Sequence, residues 1–147
     1  MDLKYFFMAE FVCTFYMLGL IWFVQIVHYP LLSKVGKSDF AVYEKAHVDL
    51  TAYAVIAVML IELGCAFLLF WQKPQWLPLW SLWLGCGMLG LIWLSTFFLQ
   101  VPQHNILLNG YNAQAQKYLT MTNWLRTFGW SVRAAIHCYT ISNLIQI

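Results

Sequence analysis

Charge is what this sequence has least of. Only 8 Lys/Arg and 6 Asp/Glu occur in 147 residues, 10% of the chain, against roughly 25% in a soluble globular domain. That scarcity excludes water as the main solvent. The formal net charge is +2 with no Lys/Arg run, which excludes the electrostatic footprint of a nucleic-acid binder. Cys13, Cys65, Cys86 and Cys138 lie far apart in apolar segments, without a CxxC spacing, so neither a disulfide framework nor a zinc knuckle is indicated. Buried free thiols are the expectation. Repeats of short period, low-complexity tracts and disordered linkers are lacking as well, and one domain is expected at this length. A cleavable leader needs a basic start and a short apolar stretch. Here Met1 to Lys4 carries one Lys and one Asp before an apolar run long enough to span, so the run is expected to stay as a first helix.

What is present is apolar: 62% hydrophobic residues, 18% aromatic. Four apolar runs, at about 5–27, 50–71, 77–101 and 124–145, each suit a hydrocarbon core that takes ~20 helical residues to cross. Tyr29 and Pro30 are expected to end the first, and 72–76, containing Pro74, to join the second and third tightly. The two other connections read as helix. Ser38 or Asp39 can act as N-cap ahead of Phe40, Tyr43, Ala46 and His47 at helical spacing, and 111–120 runs without a breaker into the fourth span. The expected fold is all-α: an integral membrane, up-down-up-down four-helix bundle whose two even-numbered helices protrude on one side. Lys34, Lys37, Lys45 and Lys117 against Lys4 and Lys73 place the long connections in the cytoplasm by the positive-inside rule. Lipid is the expected partner, Gly85, Gly87 and Gly90 are expected to mark close helix packing, and Trp71, Trp76 and Trp80 an interfacial belt.

Aligning the four runs by depth gathers polar residues at one end. Gln25, His28 and Tyr29 leave the first helix there; Glu44, His47 and Asp49 approach the second; Gln100, Gln103 and His104 leave the third; Asn123 and Arg126 open the fourth. His28, His47 and His104 thus share one interface, with Glu44 three residues before His47. Glu-x-x-His on a helical face is a recurrent bundle arrangement for a transition metal, so these four are the candidate ligands of iron, copper or zinc. A haem held by two of the histidines, and plain hydrated polar residues, are the alternatives.

Glu62 and Arg133 lie deeper, near mid-membrane and at comparable depth. An isolated charge there costs at least ~2.5–3.5 kcal/mol, which predicts an ion pair between them. On the fourth helix Asn123, Arg126, Trp130, Arg133 and His137 recur at steps of three and four, one inward stripe. Buried ion pairs stabilise poorly, so a substrate-lined or hydrated cavity gives the stripe a purpose. A polar network that fixes helix register is the alternative. Glu10 and His137 mark the opposite end.

Gln25-Ile26-Val27-His28-Tyr29-Pro30, Tyr43 to His47, and Asn123-Trp124-Leu125-Arg126-Thr127 together resemble the anthrone-oxygenase-like small membrane proteins. The resemblance implies four spans and, for some members, oxygenation of a polycyclic or quinol-like aromatic. Pro102-Gln103-His104-Asn105 departs from that pattern. The expected function is a membrane oxidoreductase of oxygenase type acting on a lipophilic small molecule. Arg126 and Arg133 would stabilise an anionic oxygen, Glu62 would position Arg133 or relay a proton, and a histidine base without metal is a variant route. The rivals are a small ion-coupled carrier working as a homo-oligomer, and a non-catalytic metal- or haem-binding subunit.

Overall fold

The computed structural model describes residues 2–145, all of whose regular structure is helical. There are four long helical runs: α1 (Leu3–Lys34), α2 (Phe40–Gln72), α3 (Leu79–Leu107) and α4 (Ala113–Ile145). Each pairs with two others, α1 with α2 and α4, and α3 with α4 and α2, so the four close into a ring.

The run ends reflect local chemistry. Asp2 accepts from the Lys4 backbone N–H at 3.0 Å and starts α1, and Asn112 accepts from Ala115 N–H at 2.9 Å at the start of α4, both as N-caps do. Asp39 precedes α2 but makes no capping bond; its carboxylate accepts from the Ser38 hydroxyl instead. The turn after α2 needs a left-handed residue where glycine is usual, and Lys73 supplies it at φ +43°. Gly110, at φ +124°, serves the turn before α4.

Prolines do not end α1 or α3. Each contains one π-helical turn, Val24–His28 and Thr96–Gln100, and Pro30 or Pro102 comes two residues later. A proline ring clashes with the carbonyl four residues back in a regular helix. The wider π turn relaxes that ladder, and helix resumes to Lys34 and to Leu107.

Three apolar clusters stack along the bundle: Phe7, Leu69, Leu77 and Leu82 at one end; Met17, Ile21, Met59, Ile92 and Trp130 in the middle; Tyr29, Leu32, Phe40, Leu107, Ala115 and Leu119 at the other. The tight crossing is at Gly129, where an added Cβ would lie 2.7 Å from Ile92 Cγ1. Gly87 and Gly90 meet nothing within 4 Å, so the expected packing role of the third-span glycines does not hold for them. Cys13 and Cys65 are buried, whereas Cys138 is exposed.

Three runs, α1 to α3, are long and apolar enough to cross a membrane. The fourth falls short in composition because its inward face is polar: Asn123, Arg126, Thr127, Arg133, His137 and Thr140 are all buried. Its exposed face carries Tyr118, Met121, Trp124, Leu125, Phe128 and Tyr139.

Candidate functional site

The two π turns aim glutamines at α4. Gln25 donates to the Thr120 carbonyl at 3.1 Å and accepts from Asn123 at 2.9 Å; Gln100 donates to the Thr122 hydroxyl at 2.8 Å. Inserting one residue into a turn rotates the rest of the helix, and π turns recur at functional sites for that reason. His28 at the end of the first turn, and Tyr29 and His104 past the two turns, face α2.

There the four expected ligand residues do come together. The His28 and His47 rings stack at 4.4 Å between centroids, and His47 and His104 lie 5.4 Å apart. His104 Nδ1 is 2.6 Å from Glu44 Oε1, and the Tyr29 hydroxyl is 3.2 Å from His104 Nε2. Glu44 is a fully buried carboxylate with Oε2 unpartnered, so an N–H at Nδ1 is its sole hydrogen bond. That assigns the tautomer: Nδ1–H donates to Glu44, and Nε2 accepts from Tyr29 O–H. His47 Nδ1 bonds Thr51 Oγ1 at 3.1 Å.

These contacts hold His104 between Glu44 and Tyr29 and stack His28 on His47. Both ring nitrogens of His104 are engaged, and the His28 and His47 lone pairs lie in nearly parallel planes, 29° apart. Among the described residues no group of three or more His, Cys, Asp or Glu side chains has a geometry that would hold a metal ion.

Beside this Glu44–His104–Tyr29 chain, all four helices line a cavity of about 230 Å³. Its walls are apolar, with Met17, Leu20, Ile21, Val48, Val55 and Ile56, and its polar end holds Tyr29, His47, His104, Gln100 and Arg126. A few convergent polar groups on an apolar wall are the usual composition of a small-molecule site. His28 and Glu44 lie behind the lining, against His47 and His104. Arg126 faces Tyr29, donates to Asn123 Oδ1 at 3.3 Å and sits 5.5 Å over the Trp130 ring. It has no carboxylate within ion-pair distance among the described residues, and its Nε is unpartnered.

The three residues expected to act catalytically are divided between two places. Arg126 is at the cavity. Glu62 and Arg133 form the expected pair, Nε to Oε1 at 3.0 Å, in a separate centre beyond the middle apolar layer. Arg133 also donates to Glu10 at 2.6 Å and to the Gly85 carbonyl at 2.6 Å. Glu62 accepts from Thr14 at 2.6 Å and from Trp130 Nε1 at 3.1 Å. Glu10 and His137, expected to mark an opposite end, belong to this centre: His137 Nε2 lies 3.3 Å from Thr14 Oγ1 and 3.9 Å from Glu10.

Sequence reasoning placed Tyr29 and Gln100 at the polar end without giving them a role, and passed over Thr51 and Thr14. The available signal was the proline two residues after each π turn, which marks where helix phase changes. No protein family, curated protein or solved structure matches the chain.

Proposed function

We propose that the protein is a membrane-embedded oxidoreductase of oxygenase type that takes a lipophilic aromatic with an acidic hydrogen, of the phenol, quinol or anthrone kind. One observation carries this reading: the Glu44–His104–Tyr29 chain ends, next to an ion-unpaired Arg126, on an apolar cavity. The substrate gives its proton to the Tyr29 oxygen as the Tyr29 proton passes to His104, and Glu44 stabilises the imidazolium. Arg126 holds the anionic oxygen so formed. Dioxygen is the co-reactant. At a ring methylene two hydrogens leave and one oxygen atom is gained as a carbonyl, while the second oxygen departs with the two hydrogens as water.

The donor geometry favours this cofactor-free route over a metal at His28, Glu44, His47 and His104. Four crossings in alternating direction complete the proposal, with 35–39 and 108–112 on the cytoplasmic side. The aromatic and aliphatic outer face of α4 supports its insertion in lipid despite its polar interior face. A carrier function is the second reading, favoured by the second buried ion centre, and would require an oligomer to provide a path.

The test is oxygen uptake by protein in lipid nanodiscs with anthrone as probe, together with metal analysis. Metal-free turnover lost in His104→Ala, with probe binding retained, supports the proposal. Unchanged turnover in that variant would sink it, and near-stoichiometric metal lost in His47→Ala would replace it with the metal reading.

A further inference from the structure

The second centre does not balance its charges. Glu10 from α1 and Glu62 from α2 face one guanidinium, Arg133 from α4, and the only other titratable groups around them among the described residues are His137 on α4 and the thiols of Cys13, Cys65 and Cys86. Glu62 accepts three hydrogen bonds, from Arg133, Thr14 and Trp130. Glu10 has Arg133 as its one hydrogen-bond donor. Thr14 spends its single hydroxyl proton on Glu62, so its contact with His137 requires the N–H at Nε2. His137 Nδ1 is then left bare, buried and unpartnered. Interior charge without a counter-charge is strongly disfavoured, so one more proton is needed, and two adjacent acceptors are free to take it.

We propose that Glu10 and His137 form a proton-binding site inside the bundle, holding one exchangeable proton beside the Arg133–Glu62 pair. The site has an opening. Glu10, His137, Ser81 and Cys86 border a cavity of about 30 Å³, room for a single water, and Glu10 retains 7% of its surface. Arg133 holds the Glu10 carboxylate in place through Oε1, and the proton resides on that carboxyl, beside the bare Nδ1 of the neighbouring ring. This site is independent of the histidine cavity: its residues line neither that cavity nor the relay.

A lipophilic carbodiimide tests it on the intact protein, because the reagent adds only to a protonated carboxyl and leaves a stable N-acylurea. Treatment with dicyclohexylcarbodiimide and peptide mapping should place the adduct on Glu10 and not Glu62. The yield should fall as the buffer is made alkaline and be indifferent to sodium. An adduct on Glu62, or a Glu10 adduct suppressed by sodium at fixed pH, overturns the proposal, the latter in favour of a metal-cation site. Infrared difference spectra across the pH range of the folded protein provide a readout that needs no reagent access. A buried protonated-carboxyl band should appear on acidification, vanish in Glu10→Gln, and require a more acidic buffer in Glu62→Gln, where Arg133 is left to Glu10 alone. Absence of the band in the wild type, or its survival in Glu10→Gln, overturns the assignment.

Discussion

Two arginines on one face of α4, seven residues and thus roughly 10 Å apart along the axis, live in opposite circumstances. Around Arg133, Nε, Nη1 and Nη2 all donate, to Glu62, the Gly85 carbonyl and Glu10. Arg126 has an amide and a tryptophan face for company, an Nε without partner, and a cavity of about 230 Å³ in front of it. Burial of the same side chain therefore gives a closed ion network in one place and an open cation in the other. The difference lies in what the neighbouring helices present: two carboxylates and a bare carbonyl against Arg133, a phenol and small polar groups against Arg126. Trp130 joins the two, donating to Glu62 while Arg126 lies over its ring.

The sharpest way to break this contrast is Arg133→Met. It strands two buried carboxylates, and removing one partner of a buried pair costs about 3–5 kcal/mol, so thermal unfolding in detergent should show a severe loss. Adding Glu62→Gln should restore part of it. If Arg126→Met destabilises the protein as much, the distinction between a closed and an open centre fails.

Within the open centre, Glu44→Gln keeps the shape of the side chain but removes the charge that stabilises protonated His104. Turnover should fall by about 10²–10⁴-fold, the usual worth of general acid–base catalysis, while probe affinity hardly moves. Titration and steady-state rates measured side by side separate these effects. Arg126→Met should do the reverse. Loss of a charged hydrogen bond worth about 1.5–3 kcal/mol should weaken binding of an acidic aromatic by tenfold or more, and leave a neutral analogue nearly unaffected.

Gly129, between the two arginines, tests how tightly the centres are held apart. Gly129→Ala would drive its Cβ into Ile92. Overpacking of this kind costs about 1–3 kcal/mol, and Ile92→Ala should relieve it in the double variant. The smallest effect is expected at Lys45→Ala. The exposed Lys45–Asp49 pair, at 2.9 Å, is of the class that contributes little, and its loss should leave both centres unchanged by spectroscopy and by turnover.

Much of the molecule was legible in one dimension because two periodicities dominate it. Apolar length marks helices that suit a bilayer, and the step of three to four residues on α4 marks Asn123, Arg126, Trp130, Arg133 and His137 as one inward stripe, all of them buried. Depth matching paired Glu62 with Arg133 and gathered His28, His47, His104 and Glu44, since opposite charges and polar groups at one depth have few other partners in an apolar bundle. Helix phase was not legible. The π turns at Val24–His28 and Thr96–Gln100 rotate the helical segments beyond them, so Tyr29 and Pro30 continue a helix they were expected to end. Which donor atoms meet was likewise decided only in three dimensions. Engagement of both His104 nitrogens depends on partners sixty and seventy-five residues away in sequence, and the stack of His28 on His47 joins two different helices. Composition and spacing were enough to mark the apolar helices and the residues that must be hidden. Packing in three dimensions was needed to join Glu10 and His137 to the ion pair, to leave Arg126 open and to set His104 between Glu44 and Tyr29, because side-chain direction is set by neighbouring helices and not by distance along the chain.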